Sequence, residues 1–253
     1  MTSLTGRFDW LILSPHLDDA ALSCGGTIAH AVQRGRRTLV LTLFAGDEPV
    51  PPPTELGRRM VRGWRFPPGR AMAGRRAEDE AACAALGALP LHWPQREAIH
   101  RLDHDRTALY PSLESLFGEP SPHESDLLEA LATGLAGLPA AARVLAPLGV
   151  GGHVDHRLTR TAAEAWRGRD LDYYEDYPYA RAGEAVAAAL GAQGGWRHTV
   201  EALEAEDLQR KCAAVASYRS QLRHLFADSR RMARELHGHA RSLGGERLWS
   251  RRP

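Results

Sequence analysis

The chain has 253 residues, with 32 basic and 31 acidic side chains and a formal net charge of +1. A nearly neutral chain is not expected to bind nucleic acid by bulk attraction, and no apolar run reaches the ~18 residues that a membrane span needs. The three cysteines, Cys24, Cys83 and Cys212, are odd in number and far apart. We therefore expect no disulfide framework and a cytoplasmic location.

The first elements predict a strand, a helix and a second strand. The apolar run Trp10–Leu13 is typical of a buried strand, helical periodicity runs from Asp18 to Gly35, and Leu39–Phe44 predicts another strand. This order favours a right-handed βαβ unit in a parallel sheet, where ligands bind beyond the carboxyl ends of strands. The residues in that place after the first strand are His16, Asp18 and Asp19.

Residues 47–74 differ from the rest because they contain six prolines, Trp64 and several arginines. We interpret them as a long surface excursion, which is either a functional lid or a mobile loop without a role. Helices are predicted at 75–86, 125–135 and 153–166, strands at 143–147 and 171–174, and helices again through the C-terminal third. Without a break in composition, this alternation predicts a single domain over 1–253. Its fold is expected to be a Rossmann-like three-layer αβα arrangement, with a mostly parallel sheet and additional C-terminal helices.

Two short motifs place histidine and aspartate where a predicted strand gives way to a helix. They are Ser-Pro-His-Leu-Asp-Asp at 14–19 and Gly-Gly-His-Val-Asp-His at 151–156. His16, Asp19 and His156 can supply two imidazoles and a carboxylate to a divalent metal, which leaves a position open for water. Spacing alone is weak support, because paired histidines are common and Asp-Asp at a helix start is usually an N-cap.

Taken together, the motifs resemble those of the PIG-L or LmbE-like family of metal-dependent N-deacetylases. The family's Pro/Ala-His-Pro-Asp-Asp-Glu segment corresponds to Pro15–Ala20, and its His-x-Asp-His segment corresponds to His153–His156. The helix from Arg75 resembles the family's Arg-x-x-Glu helix, and residues 173–179 and 211–221 resemble segments of one bacterial branch. The chain departs from the pattern at Leu17, Ala20 and Gly151, where the family has Pro, Glu and, in some relatives, Tyr.

The resemblance implies a role for each matched residue. His16, Asp19 and His156 match the metal ligands, normally of zinc, although iron(II) is compatible with this set. Asp18 matches the general base, which takes a proton from water whose pKa zinc lowers to about 7. His153 matches the residue that stabilises or protonates the tetrahedral intermediate, and a protonated imidazole there would oppose the developing oxyanion.

Four further residues are candidates for positioning or substrate binding, each with a structural alternative. Asp155 either orients His153 or caps the helix that follows. Arg75 either reaches a hydroxyl or anionic group of the substrate or is an inert, exposed residue at a helix start. Tyr174 and Tyr177 belong to a tyrosine-rich segment that either binds a sugar or packs in the core.

The resemblance implies a zinc-dependent amidohydrolase that removes an acetyl group from an N-acetylated amino sugar, such as N-acetylglucosamine, or from a glycoconjugate. Within the same class, an amidase acting on a thiol–sugar conjugate is an alternative. A non-catalytic, metal-containing carbohydrate-binding protein is the rival from another class. The small-molecule substrate is the only partner we expect, and a homo-oligomer is compatible with the sequence.

Overall fold

A seven-stranded mixed sheet forms the centre of the computed structural model, which describes residues 6–168, 170–192 and 194–251. Its strands are β1 (Phe8–Ser14), β2 (Thr38–Thr42), β3 (Leu89–His92), β4 (Ala141–Pro147), β5 (Asp172–Tyr174), β6 (Arg197–Glu201) and β7 (Glu246–Ser250). They lie in the order β3-β2-β1-β4-β5-β7-β6. Strands β1 to β5 run parallel to one another, and β7 pairs antiparallel with both β5 and β6. The predicted mostly parallel sheet is therefore confirmed.

Helices cover both faces of the sheet, as the sequence predicts. They are α1 (Asp19–Gln33), α2 (Glu55–Gly63), α3 (Ala71–Leu86), α4 (Leu113–Leu116), α5 (Ser125–Ala136), α6 (Val154–Arg167), α7 (Gly183–Leu190), α8 (Ala205–Ser217), α9 (Arg219–Leu225) and α10 (Ser229–Leu243). Successive side chains of a strand point to opposite faces. Ile12 of β1 accordingly packs with α1, α3, α8 and α10, whereas its neighbours Leu11 and Leu13 pack with α5, α6 and α7. Within the described ranges, no helix is long and apolar enough to cross a membrane.

The proline-rich excursion is more ordered than the sequence indicates. Thr54 caps α2 by accepting a hydrogen bond from the Gly57 amide at 2.9 Å, and Trp64 is only 5% exposed. Leu56, Trp64 and Met72 join a hydrophobic cluster with Leu17 beyond the carboxyl ends of the strands. The segment 47–74 is therefore not a mobile loop throughout, since part of it is helical and packs beside the strand ends; its role as a lid stays a prediction. The single-domain assignment stays a prediction.

The order of the strands explains where a site can form. From β1 the chain moves outward to β2 and β3, and it then returns to the other side of β1 to form β4. The connections that leave the carboxyl ends of β1 and β4 therefore diverge, which opens a crevice between them. Both histidine-containing motifs follow these two strands, so the fold brings them to the same place.

Candidate metal centre and active site

Three ligand atoms from the two motifs converge at the crevice between β1 and β4. Nδ1 of His16 lies 3.2 Å from Oδ2 of Asp19, and Nε2 of His156 lies 3.3 Å from the same oxygen. Two ligands of a tetrahedral zinc, each about 2.1 Å from the ion, stand roughly 3.4 Å apart. The spacing and the chemistry of this donor set therefore fit a small divalent cation.

A carboxylate occupies the other ring nitrogen of each histidine. Nε2 of His16 lies 2.8 Å from Oδ2 of Asp155, and Nδ1 of His156 lies 2.6 Å from Oδ1 of Asp176. A carboxylate accepts the ring hydrogen, so the remaining nitrogen of each imidazole keeps its lone pair for the centre. These contacts explain why the two histidines present different nitrogen atoms.

The electrostatics of this cluster favour positive charge. Burial opposes charge on His156, but Asp19 and Asp176 raise its pKa to about 10. Burial also opposes charge on His16, yet Asp155 and Asp19 raise its pKa well above the usual value. Despite its own burial, Asp19 has a pKa well below its usual range, because both imidazoles lie against it. Carboxylates and imidazoles in this balance are suited to a bound cation.

Asp18 occupies the N-cap position of α1, but its side chain does not cap the helix. Its φ of 151° is unusual for a residue with a side chain, and such strain is often found at functional sites. Within the described ranges, no hydrogen bond reaches its carboxylate, whereas the Asp19 carboxylate accepts one from the His16 amide at 2.8 Å. Burial and the neighbouring Asp19 raise the pKa of Asp18 to about 8, against the opposing effect of Arg75. The interpretation of Asp18 as a purely structural N-cap therefore does not account for these features.

His153 caps α6 and is held as a neutral donor. Its Nδ1 accepts a hydrogen bond from the Asp155 amide at 3.2 Å, so the ring hydrogen is on Nε2. Burial and the neighbouring His16 lower the pKa of His153 to about 3. These contacts favour a neutral His153 over the protonated imidazole that the resemblance implies, and its catalytic role stays a prediction. The ring can still donate a hydrogen bond from Nε2.

The Asp155 side chain does not cap α6, because His153 takes that position. The side chain is fully buried, and it accepts hydrogen bonds from the Ala98 amide at 3.0 Å and from Nη1 of Arg101 at 2.6 Å. Its third contact is His16, as described above. Asp155 therefore orients His16, a metal-ligand candidate. One of its carboxylate oxygens also lies within 4.8 Å of a ring nitrogen of His153, so its role in orienting His153 stays a prediction.

Arg75 is a wall residue of the site and is only 4% exposed. It pairs with Glu97, and its guanidinium lies 4.4 Å from the centre of the Trp64 ring. The amide oxygen of Gln221, in the orientation that its donors require, accepts from Nε of Arg75 at 3.2 Å and from Nε1 of Trp64 at 3.1 Å. The alternative of an exposed, inert arginine is therefore wrong.

The two tyrosine candidates differ. Tyr174 is 1% exposed, and its hydroxyl donates to the Leu13 carbonyl at 2.8 Å, which makes it a core residue. Its predicted contact with the substrate is wrong, because the side chain is buried in the core and its hydroxyl already bonds the Leu13 carbonyl. Tyr177 lines the cavity at the centre, and its ring stacks on Phe226 with centroids 6.0 Å apart. It stays a candidate for substrate contact.

The cavity has a volume of about 250 Å³ and contains all five motif residues, His16, Asp18, Asp19, His153 and His156. Sequence reasoning missed three residues beside it, Asp176, Phe117 and Tyr179. Asp176 was detectable in principle, because it follows β5, whose carboxyl end lies beside that of β4. Tyr179 belongs to the tyrosine-rich segment at 173–179, whereas Phe117, which is 39% exposed at the rim, carries no local signal.

The comparison with family models decides the family. The PIG-L model, described as GlcNAc-PI de-N-acetylase, matches residues 11–167, which include both motifs and more than half of the chain. The chain belongs to the PIG-L family. The resemblance inferred from the motifs is therefore confirmed.

Several proteins to which this chain is similar are deacetylases by name, in agreement with the predicted enzyme class. A 2′-N-acetylparomamine deacetylase of Streptomyces fradiae is 35% identical over 186 residues, which are 70% of this chain but only 59% of that protein. A protein of the same name from Niallia circulans is 28% identical over 238 residues, covering 87% of this chain and 82% of that protein. The zinc-inhibited form of the teicoplanin deacetylase Orf2 has a TM-score of 0.80 and 30% identity, and the match covers 96% of this chain and 97% of that one.

Proposed function

We propose that this chain is a divalent-metal-dependent amidohydrolase that removes the acetyl group from the amine of an N-acetylated amino sugar. The observation that carries the proposal is the convergence of His16, Asp19 and His156 in one cavity with Asp18. No hydrogen bond reaches the Asp18 carboxyl group among the described residues, and a cation held beside it would favour its charged form, which can accept a proton. A structural role explains neither its strained backbone nor its position.

The names of the relatives support an amino sugar that belongs to a larger molecule. Two of them act on N-acetylparomamine and one on teicoplanin. We therefore infer a sugar of the aminoglycoside or glycopeptide type as the substrate, with N-acetylglucosamine as its simplest analogue. An acetamide fits the small inner cavity, whereas the remainder of such a molecule extends past the rim at Phe117.

The reaction adds water across the amide bond, so that the carbonyl carbon gains a hydroxyl group, the C–N bond breaks and the amine leaves with a proton. A divalent cation held by His16, Asp19 and His156 would lower the pKa of water and polarise the amide carbonyl. Asp18 accepts the proton of the attacking water and returns it to the leaving amine. Nε2 of His153 donates a hydrogen bond to the carbonyl oxygen as negative charge develops there.

We propose zinc as the cation, with iron(II) as the alternative. Two imidazoles and one carboxylate suit either ion, because nitrogen and oxygen donors bind both. Elemental analysis of protein purified without added metal distinguishes the two.

The test compares metal content and acetate release in the wild type, His156→Ala and Asp18→Asn. We expect about one metal ion per chain in the wild type and in Asp18→Asn, and loss of the metal in His156→Ala. Acetate release by Asp18→Asn should fall by roughly 10²–10⁴ because proton transfer is lost. Full turnover by Asp18→Asn would refute its role as the base.

The same experiment separates the alternatives. Bound metal with no acetate release from any N-acetylated amino sugar would favour the non-catalytic carbohydrate-binding protein. Faster cleavage of a thiol–sugar amide than of an amino-sugar glycoside would favour the thiol-conjugate amidase. A cytoplasmic location is our proposal from the three cysteines, which are all free thiols, and a homo-oligomer stays a prediction that size-exclusion chromatography tests.

A further inference from the structure

Gly151 lies under the ring of Tyr179. A Cβ atom at Gly151 would come within 2.6 Å of Cγ and 2.7 Å of Cδ1 of that tyrosine. The φ of Gly151 is also +85°, so both the backbone and the contact require glycine. The turn between β4 and α6 is therefore shaped to admit this ring beside the second histidine motif.

Other contacts hold the Tyr179 ring at the edge of the metal centre. Its centroid lies 5.8 Å from that of Phe117 and 6.3 Å from that of His156, with an edge-on approach to each. The backbone here is fixed by the Ala180 amide, which donates to the Asp176 carbonyl at 2.9 Å. Since the Asp176 side chain contacts His156, Tyr179 and His156 are positioned by the same segment.

The Tyr179 hydroxyl makes no hydrogen bond within residues 6–168, 170–192 and 194–251, although the side chain lines the polar cavity. The Tyr174 hydroxyl, in contrast, donates a hydrogen bond to the Leu13 carbonyl. A tyrosine hydroxyl in a partly buried polar site usually finds a partner. The phenol hydroxyl of Tyr179 is therefore available to donate a hydrogen bond to a ligand in the cavity.

We propose that the Tyr179 hydroxyl donates a hydrogen bond to the carbonyl oxygen of the bound acetyl group. His153 and Tyr179 each contact Phe117 and His156, with His153 centroids 5.3 Å and 5.5 Å from these rings. Two donors, one from the start of α6 and one from the segment after β5, then share the oxygen on which charge develops. This assignment rests on the proposed deacetylase function and adds a catalytic residue to it.

The test is Tyr179→Phe, which keeps the ring on Gly151 and removes only the hydroxyl. We expect kcat to fall by roughly 10²-fold, the magnitude typical of losing one oxyanion donor, with little change in KM. Metal content and Tm should match the wild type. Tyr173→Phe is the matched control, because its hydroxyl donates to Glu164 at 3.0 Å away from the cavity, and its kcat should stay within threefold (about 0.6 kcal/mol) of the wild type.

A wild-type protein that releases no acetate would contradict the proposed function itself. An active wild type with an equally active Tyr179→Phe variant would overturn only the assignment of Tyr179. Affinity for a phosphonate analogue of the tetrahedral intermediate gives a readout that does not depend on turnover. It should weaken in Tyr179→Phe by a factor similar to the loss in kcat.

A different observation concerns a second cavity of about 1160 Å³, which shares Trp64 with the active-site cavity. Its basic lining residues are Arg62, Arg65, Arg219, Arg223 and His224, and Glu78 is the one acid among the described lining residues. The whole chain is balanced at 32 basic to 31 acidic side chains, so the excess of positive charge is local.

Three of the five basic side chains in this groove are available to a ligand, whereas Arg62 pairs with Glu55 at 2.9 Å. The guanidinium groups of Arg65, Arg219 and Arg223 are exposed and make no ion pair or hydrogen bond within the part of the chain that the structure describes. Glu78 does not neutralise them directly, because its two oxygens accept from the Ser220 amide at 3.0 Å and hydroxyl at 2.6 Å. Fixed positive charge in a concave surface attracts anions.

We infer that the basic groove binds an acidic, carboxylate-bearing portion of the substrate while the acetylated sugar occupies the inner cavity. This second inference also rests on the proposed function. It favours an acidic glycoconjugate over a polycationic aminoglycoside as the preferred substrate. Because these arginines are exposed, we expect only a modest gain in affinity for an acidic substrate, and this gain should fall as the salt concentration rises.

The probes are N-acetylglucosamine carrying a three-glutamate arm and the same sugar carrying a three-glutamine arm. We expect KM to be roughly three- to tenfold lower for the glutamate arm, with the difference lost in Arg219→Glu/Arg223→Glu. The control Arg230→Glu/Arg234→Glu changes two exposed arginines of α10 outside the groove. This control should retain the difference in KM between the two arms. Equal KM values for both arms in an active wild type would overturn this inference. In an inactive wild type, the proposed function fails, and calorimetric titration of the two arms still decides whether the groove prefers the acid.

Discussion

Asp155→Asn offers the sharpest check on how the centre is supported. Two carboxylate oxygens of Asp155 serve three donors, Nε2 of His16, the Ala98 amide and Nη1 of Arg101. Asparagine has a single acceptor oxygen, and its amide nitrogen must then face a donor. At least one buried donor is left without a partner, which costs about 1–3 kcal/mol.

The loss of charge adds to this cost. Removing one partner of a buried ion pair typically destabilises a protein by about 3–5 kcal/mol, but Arg101 keeps its second partner, Glu124. We therefore expect the free energy of unfolding to fall by about 3 kcal/mol in total, near the lower limit of this range. In a domain of this size that corresponds to a fall in Tm of roughly 6–12 °C.

The variant should also bind metal less well, because His16 loses the carboxylate that orients its ring. Loss of such a partner typically lowers metal affinity by roughly 10–100-fold. Thermal unfolding with and without chelator, followed by competition with a metal indicator, measures both effects. Asp126→Asn, at an exposed position of α5, is the control and should change stability by about 0.5 kcal/mol or less. A Tm and metal affinity equal to those of the wild type in Asp155→Asn would refute the reasoning.

Three further variants test the corrected and newly assigned contacts. Gly151→Ala should destabilise the protein by several kcal/mol, more than Gly149→Ala, which has a similar positive φ but open space at its Cβ. Chemical denaturation measures this difference, and replacing Tyr179 by Ala in the same chain should recover part of it. Tyr174→Phe should keep full acetate release and lose about 1 kcal/mol of stability, since its hydroxyl bonds only the core; a large loss of turnover would restore it as a substrate contact. Gln221→Ala should cost about 1–3 kcal/mol, because Trp64 and Arg75 lose their shared acceptor, and an unchanged Tm would contradict that orientation of the amide.

The parts of the fold that the sequence predicts are those with strong local periodicity. The apolar run of β1, the amphipathic α1 and the strand at 143–147 are found where they are expected. β6 and β7 are missed because their stability comes from pairing with each other across more than 40 residues. β6 is largely exposed and carries Arg197 and Glu201 at its ends, so it has no apolar pattern that marks a strand.

The metal-ligand candidates are predictable because each follows directly from a strand end, and the parallel sheet brings such ends together. The outer contacts are not predictable in this way. The Asp155 carboxylate contacts His16 because the Ala98–Arg101 segment places an amide and a guanidinium beside it. Nothing in the spacing of the motif specifies that segment. Likewise, Arg75 is buried only because the proline-rich excursion folds back and lays Trp64 against it.

The centre is thereby tied to three neighbouring strands rather than two. His16 follows β1, His156 follows β4, and Asp176, which fixes the ring of His156, follows β5. Since a shift of one residue in the register of any of these strands would turn its side chains to the opposite face, the geometry of the ligands depends on the whole parallel part of the sheet. Tyr179 is placed by the same segment as Asp176, so the inferred donor to the carbonyl oxygen and the orientation of His156 are set together. A change in the loop after β5 should therefore alter metal binding and the chemical step jointly, whereas a change in the basic groove should alter only the affinity for substrate.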